Sequence, residues 1–212
     1  VAAQAGSFTD VTEAVGIDFR HANGQSGAKY FIEPLGSGVA LFDYDGDGDL
    51  DIYAVNGAAL PGADYATPPR NALFRNDRGQ FVDVTAAAGV GDTAYGLGCG
   101  VADYDADGHM DLYVTNYGPN VLYRNLGDGT FEDVAREAGV ADYALSASCA
   151  FLDADGDGFL DLYVVNYVQF DPATNPVCTH GDVIAYCTPK ALDGASDRLY
   201  RNLGDGTFKD VT

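Results

Sequence analysis

The sequence predicts an all-β fold of the β-propeller class, with about three blades that form part of a larger propeller. Three observations support this prediction. An acidic nine-residue pattern occurs three times, two short strand-like motifs follow each copy, and 27 glycines among 212 residues indicate many tight turns. We expect one domain over residues 1–212, with four-stranded units at about 36–84, 96–134 and 146–211.

Four short strands are expected in each unit. In the first, Gly38-Val-Ala-Leu-Phe42 leads into the acidic segment, and a β-branched and aromatic run from Leu50 to Val55 follows it. The third strand is predicted at 73–76, with copies at 122–125 and 199–202. The fourth is predicted at 81–84, with copies at 131–134 and 208–211. Only 134–138 resembles a helix, and it is too short to alter the fold class.

The segments outside these units are also informative. Residues 1–35 contain an isolated copy of the fourth motif, Phe8-Thr-Asp-Val11, so we expect an N-terminal strand and a lead-in from a neighbouring blade. Insertions at 57–70 and 168–197 interrupt the repeat, each between the second and third strands of its unit. Loops inserted into repeats often carry binding functions, so both are candidate partner surfaces.

The acidic segments 43–51, 103–111 and 153–161 share the pattern D-x-D-x-D-G-x-x-D. Carboxylates at alternate positions converge on a cation when the chain curls, the glycine permits the sharp turn, and the seventh residue offers its carbonyl. The predicted carboxylate ligands are Asp43, Asp45, Asp47 and Asp51, then Asp103, Asp105, Asp107 and Asp111, and finally Asp153, Asp155, Asp157 and Asp161. The predicted carbonyl ligands belong to Asp49, His109 and Phe159, and the His109 ring is expected to face solvent.

Calcium is the predicted ion at all three sites. Several carboxylates and a carbonyl in a flexible loop suit Ca²⁺, whereas Mg²⁺ keeps its waters and Zn²⁺ prefers nitrogen or sulfur ligands. An EF-hand begins with a similar pattern but requires a glutamate at position twelve and flanking helices. Position twelve is Ala54, Val114 or Val164 here, each in a predicted strand, which excludes an EF-hand.

Composition restricts the partners and the compartment. A net charge of −21 disfavours nucleic acid and anionic membranes, and no apolar run is long enough for a membrane span. Four cysteines are compatible with an oxidising compartment, so we expect a secreted, extracellular or periplasmic protein, with attachment at the cell surface as an alternative. A Cys178–Cys187 disulfide is the favoured pairing. Cys99 and Cys149 occupy equivalent positions in adjacent units and are either bridged or buried free thiols.

No pattern of catalytic residues stands out. The three histidines do not form a dyad spacing, and His21 and His180 are interpreted as ordinary loop residues. Nucleophile motifs, phosphate-binding glycine loops and dinucleotide fingerprints are absent from the sequence. We therefore expect a protein that is not an enzyme.

The acidic loops and their flanking strands resemble the FG-GAP or VCBS type of repeat found in integrin α-subunit propellers. A closer resemblance is to the bacterial cartilage acidic protein-like family. It is carried by Phe19-Arg-His21, by the Gly36 to Asp45 entry, by the three metal loops, and by the Cys187 region that leads into Asp197-Arg-Leu-Tyr-Arg-Asn202 with Gly204 to Phe208. The resemblance implies an exported propeller with calcium in its blade loops and no enzyme activity.

The main functional hypothesis is a calcium-binding extracellular module for binding, adhesion or scaffolding, with an unidentified protein or glycan partner. The alternative is a structural subunit of a surface polymer whose incomplete propeller is completed by neighbouring chains. The first hypothesis expects the remaining blades in a longer protein, and the second expects self-association. A propeller-based hydrolase or lyase is the least favoured hypothesis.

Overall fold

A computed structural model describes residues 7–212. The fold is all-β, as predicted, and contains three four-stranded antiparallel sheets and one two-stranded hairpin. Each sheet keeps its strands in chain order, so neighbouring strands are joined by short turns or by an insertion.

The first sheet contains β1 (Val39–Phe42), β2 (Asp51–Ala54), β3 (Ala72–Asn76) and β4 (Phe81–Asp83). The second contains β5 (Tyr95–Ala102), β6 (Asp111–Tyr117), β7 (Val121–Asn125) and β8 (Phe131–Asp133). The third contains β9 (Ser146–Leu152), β10 (Asp161–Asn166), β13 (Arg198–Asn202) and β14 (Phe208–Asp210). The insertion between β10 and β13 carries the hairpin of β11 (Cys178–His180) and β12 (Val183–Ala185).

Among residues 7–212, helical structure is limited to single turns. A short helix α1 (Thr85–Ala88) follows the first sheet, and 3₁₀ turns lie at Pro172–Thr174 and Pro189–Ala191 in the insertion. The helix-like segment 134–138 is a hydrogen-bonded turn at the position equivalent to α1. None of the helices in the part of the chain that the structure describes has the length and apolar character needed to cross a membrane.

The prediction of an N-terminal strand is wrong for the described part of the lead-in. Residues 7–35 form turns and irregular structure, and Phe8 is fully exposed. A single strand needs hydrogen bonds from a neighbour, and within residues 7–212 none pairs with Phe8-Thr-Asp-Val11. Both insertions, 57–70 and 168–197, lie between the second and third strands of their sheets, where the repeat pattern predicted them.

The second sheet is covered on both faces. Side chains alternate between the two faces of a strand, so Leu112 and Val114 of β6 point to one side and Tyr113 points to the other. Leu112 and Val114 pack in a core with residues of the first sheet, such as Tyr53 and Val55. Tyr113 belongs to a separate core with Leu162 and other residues of the third sheet. The three sheets are therefore stacked face to face in chain order.

The first strands of the sheets come closest together. A side chain at Gly98 of β5 would place its Cβ 2.8 Å from the carbonyl oxygen of Ala147, just inside β9. A side chain at Gly38, next to β1, would place its Cβ 2.9 Å from the Cα of Gly98. Real Cβ atoms do not approach backbone this closely, so the stack requires glycine at both positions.

The segments that precede the first and third sheets each pack onto the fourth strand of the sheet that follows them. The Phe208 amide of β14 donates to the carbonyl of Ala138 at 2.8 Å, and the Phe81 amide of β4 donates to Val15 at 2.7 Å. Val15 thus makes with the first sheet the contact that Ala138 makes with the third. This equivalence supports the interpretation of the lead-in as the connecting segment of a preceding repeat.

The long insertion packs against the lead-in. The predicted disulfide is confirmed, since Cys178 and Cys187 are bonded, whereas Cys99 and Cys149 are free thiols. Glu33 is buried, and its carboxylate accepts a 2.6 Å hydrogen bond from the Tyr186 hydroxyl of the insertion and a 3.3 Å bond from the Tyr30 amide. A buried carboxylate needs such donors, so Glu33 fixes the insertion to the body of the protein.

We expect Tyr186→Phe to reduce the free energy of unfolding by about 1.5–3 kcal/mol, the usual contribution of a hydrogen bond to a charged group. The substitution keeps the ring and removes only the hydroxyl that donates to Glu33. Urea denaturation measures the change. Tyr143→Phe is the matched control, because the Tyr143 hydroxyl makes no hydrogen bond within residues 7–212. Equal stability of the two variants would contradict the role assigned to Glu33.

Candidate metal centres

Each sheet carries one acidic loop between its first and second strands. In every loop three carboxylates each place one oxygen within 4.8 Å of the other two. These groups are Asp43, Asp45 and Asp51, then Asp103, Asp105 and Asp111, and finally Asp153, Asp155 and Asp161. The structure thus brings together nine of the residues that the sequence singled out, in three equivalent places.

The middle aspartate of each pattern lies outside its converging group. Asp47, Asp107 and Asp157 instead accept a hydrogen bond from the amide two residues ahead, at 2.8, 2.9 and 3.0 Å. Their role as ligands stays a prediction, and so does that of the carbonyls of Asp49, His109 and Phe159.

The first aspartate shapes each loop. One carboxylate oxygen of Asp43 accepts from the Gly46 amide at 2.8 Å, and the other accepts from the Gly48 amide at 2.9 Å. Gly48 has a φ of 91°, a left-handed conformation that a side chain would strain. Asp153 makes the same two contacts with Gly156 and Gly158. The curl that the sequence pattern predicts is therefore held by the chain itself.

The last aspartate of each pattern is buried and ties its loop to the third strand of the same sheet. Asp111 is 0 % exposed, and its oxygens accept from the Tyr104 amide at 3.1 Å and from the Asn125 amide at 2.8 Å. Asp51 and Asp161 make the equivalent pairs of contacts. This carboxylate links the loop, the second strand and the third strand.

The electrostatics of the loops favour a cation. Burial raises the pKa of the Asp111 carboxyl to about 7, with smaller raising effects from the charges of Asp105 and Asp107. Burial also raises the pKa of Asp51, Asp45 and Asp105, and nearby carboxylates add to the effect. Carboxylates in this arrangement repel one another, and a divalent cation among them removes that repulsion. The donors are hard oxygens without nitrogen or sulfur, a set that fits Ca²⁺.

The seventh residue of the pattern has a packing role that the sequence did not indicate. The His109 ring lies against the turn at Gly127, where an added side chain would collide with it, although the residue as a whole is exposed. The expectation that this ring faces solvent stays a prediction. The Phe159 ring covers the equivalent turn, since a Cβ at Gly204 would lie 2.7 Å from its Cζ. These side chains fasten the metal loop to the turn between the third and fourth strands.

A second set of contacts joins each metal loop to the next sheet. The Asn125 side-chain amide at the end of β7 donates to the Tyr44 carbonyl inside the first loop at 2.8 Å. The Tyr44 ring stacks on Phe131 of β8, with centroids 6.1 Å apart. We call this pair of contacts the loop clasp. It crosses from the first sheet to the second.

The clasp occurs again one sheet further along. The Asn202 side-chain amide donates to the Tyr104 carbonyl at 2.8 Å, and the Tyr104 ring stacks on Phe208 with centroids 5.6 Å apart. The third loop has Ala154 at the position of Tyr44 and Tyr104, and the Ala154 carbonyl accepts no comparable bond within residues 7–212. Sequence reasoning missed the clasp, although tyrosine as the second residue of two loops and an asparagine ending each third strand were available signals.

The histidines outside the loops do not form a catalytic arrangement. His21 is exposed, and partial burial of its ring lowers its pKa. It lines a small cavity with Arg20, Asn56 and Tyr65, while His180 lies exposed in β11. Neither histidine side chain is hydrogen-bonded to an acid or a nucleophile in the part of the chain that the structure describes.

Comparison with known proteins gives a family. A family model described as an FG-GAP-like repeat matches residues 43–114 and 103–164, which together exceed half of the chain. Each match runs from one metal loop through the next loop to the strand after it, so the overlapping pair covers all three loops. No curated protein matches the chain. Proteins of this repeat family are generally not enzymes, and the chain belongs to the family of FG-GAP-like repeat proteins.

Proposed function

We propose that this protein is a calcium-stabilised extracellular binding or scaffold module built from propeller blades, without enzyme activity of its own. The observation that carries the proposal is the threefold recurrence of converging carboxylates, one group in each sheet at the same loop. An isolated acidic cluster is common on protein surfaces, but three equivalent ones at fixed positions of a repeat favour a shared ligand.

Calcium would be held in each loop by the first, second and last carboxylates of the pattern, with the carbonyl of the seventh residue as a further candidate. The bound ion would neutralise the loop and reinforce the curvature that the hydrogen bonds to the first aspartate already hold. The loop clasp then gives this ordering a wider effect, because Tyr44 and Tyr104 lie inside the loops and contact the following sheet. The proposed role of the metal is therefore to stabilise packing between sheets as well as each loop.

An extracellular location agrees with this chemistry. The Cys178–Cys187 disulfide is of a kind that persists in oxidising compartments. Calcium sites in extracellular modules have dissociation constants of about 10⁻⁴–10⁻³ M and are filled where calcium is millimolar. The FG-GAP-like repeats also suggest an extracellular binding module.

We expect each occupied site to stabilise the fold by about 1–3 kcal/mol when calcium is one to two decades above its dissociation constant. Asp45→Asn and Asp105→Asn should each lower the melting temperature in calcium by about 3–10 °C. Asp155→Asn should have a smaller effect, because the third loop lacks the clasp tyrosine. Differential scanning calorimetry in millimolar calcium, and again in chelator, measures all three variants.

The chelator measurement serves as the control. Without calcium the three variants should melt close to the wild type, since each substitution removes a carboxylate whose main role is to bind the ion. A melting temperature of the wild type that does not change with calcium would contradict the proposal. An effect of Asp155→Asn as large as that of Asp105→Asn would contradict the role of the clasp.

A second function, assembly with further sheets of the same kind, is favoured by the two outer faces of the stack. Tyr53 and Tyr113 are fully buried against the next sheet, whereas their equivalent Tyr163 is 37 % exposed. Val165 beside it is 36 % exposed. The third sheet thus presents a face that its two predecessors bury.

The first sheet presents the complementary face. Its Val39 and Leu41 are 64 % and 59 % exposed, while the equivalent Cys99 and Val101 of β5 pack against the preceding core. Within residues 7–212 the Asn76 side-chain amide donates only to the Leu50 carbonyl of its own sheet, whereas the Asn125 and Asn202 side-chain amides also donate to the preceding loop. We propose that a four-stranded sheet of the same kind binds each outer face. When this chain is studied alone, a neighbouring copy of it would supply that sheet.

This second function predicts association that increases with protein concentration. Light scattering behind a sizing column should give a mass above the 22.2 kDa of one chain, and Leu41→Asp or Val165→Asp should restore the monomer. Val183→Asp is the matched control, because Val183 is an exposed apolar residue of the insertion hairpin, outside both faces. A wild-type mass of 22.2 kDa at every concentration would contradict assembly between copies.

A further inference from the structure

A cavity of about 580 Å³ lies at the end of the second and third sheets opposite the metal loops. The metal loops join the end of β5 to β6 and the end of β9 to β10, while the cavity is lined by Tyr117 at the far end of β6 and by Leu145 just before β9. Residues 168–171 and 190–193 of the long insertion form its other walls. The volume is within the usual range of small-molecule sites, about 300–1,000 Å³.

Packed aromatic rings and a backbone hydrogen bond hold part of the cavity wall in place. Phe170 is buried, and its ring packs edge-on against Tyr117 at 5.2 Å and against Tyr30 at 6.5 Å. The Gln169 amide donates to the Asp193 carbonyl at 2.8 Å, which pairs the two insertion segments. Ligand binding would therefore carry little entropic cost for ordering these walls.

The polar groups of the cavity have spare hydrogen-bonding capacity. Lys190 forms no ion pair or side-chain hydrogen bond within residues 7–212, and the same is true of the carboxylate of Asp193. One oxygen of Asp171 accepts from the Ala173 amide at 2.9 Å, and the other has no partner in that range. Burial raises the pKa of the Tyr117 hydroxyl, and the negative charge of Asp171 adds to this effect.

Aromatic surface completes the site. Tyr143 lines the cavity with its side chain 63 % exposed, and its hydroxyl makes no hydrogen bond within the described residues. Tyr117 and Phe170 are the other aromatic residues of the lining. An exposed ring beside groups that donate and accept hydrogen bonds suits a ligand with both an apolar face and many hydroxyl groups.

We propose that this cavity binds a neutral saccharide, such as the end of a glycan chain. The lining contains both a cationic donor and anionic acceptors, which match hydroxyl groups that donate and accept. Lys190 partly offsets the charges of the two aspartates, which suits a neutral ligand, and the chain charge of −21 further disfavours an anionic one. The two aspartates are also outside the three groups of converging carboxylates, so the cavity differs from the metal centres.

This inference rests on the proposed function as a binding module, because it names the ligand class of such a module. The saccharide proposal can nevertheless be wrong while the calcium proposal is right. The cavity lies away from the loops, so calcium-dependent melting can hold while saccharide binding is absent. Measuring both properties on one sample separates failure of the cavity proposal from failure of the calcium proposal.

Saturation-transfer NMR on the whole chain in millimolar calcium tests the proposal. The probes are methyl glycosides of neutral hexoses, pentoses and N-acetylhexosamines, with a lysine-rich peptide and sialic acid as charged probes. At least one neutral glycoside should bind, and titration should show little dependence on salt. Tyr143→Ala and Asp193→Asn should each weaken its binding about tenfold or more, as expected for the loss of a hydrogen-bonding or stacking group in a site.

Asp182→Asn is the matched control, because Asp182 lies at the exposed turn of the hairpin in the same insertion and does not line the cavity. It should bind the glycoside as the wild type does. The proposal is overturned if none of the neutral glycosides binds, or if binding survives both cavity substitutions. It is also overturned if only the lysine-rich peptide or only sialic acid binds, since either result assigns the cavity to a charged ligand.

Discussion

The architecture depends on the way a crowded carboxylate loop is held against the sheet that follows it. The last aspartate of each loop is buried, bonds two backbone amides and stands close to two other carboxylates. Such an arrangement is costly unless a cation compensates the charge. Because Tyr44 and Tyr104 lie between the first two aspartates of their loops and contact the next sheet, the compensation extends across a sheet boundary. In the proposed account, calcium binding and packing between sheets are therefore thermodynamically coupled.

The same repeat produces two different ends of the molecule. Close packing of first strands, made possible by Gly38 and Gly98, brings the sheets together and directs all three acidic loops to one end. The insertions and the connecting segments lie at the other end, where Glu33 fixes the disulfide hairpin and the cavity opens. Metal-dependent stability and partner recognition are therefore assigned to separate surfaces, which allows the insertions to vary without disturbing the loops.

Much of the fold could be predicted from the sequence because its signals are local and repeated. Alternating apolar residues, turn glycines and nine-residue acidic patterns located the strands and the loops, and nine predicted ligands converge. The clasp between Tyr44 and Asn125 and the bond between Glu33 and Tyr186 were not predicted, because they join residues far apart in the chain. The N-terminal strand was predicted wrongly because a motif fixes the preference for a strand but not the presence of its partner.

Hydrogen exchange measured by mass spectrometry on the wild type and on Asp45→Asn, with and without calcium, tests the central claim most directly. Asp45 lies in the first loop, whereas residues 121–134 belong to the second sheet, whose own loop is intact in this variant. The account predicts that calcium protects 121–134 in the wild type and that Asp45→Asn reduces this protection. Loss of protection confined to 39–54 would show that the loop acts only on its own sheet and would contradict the account.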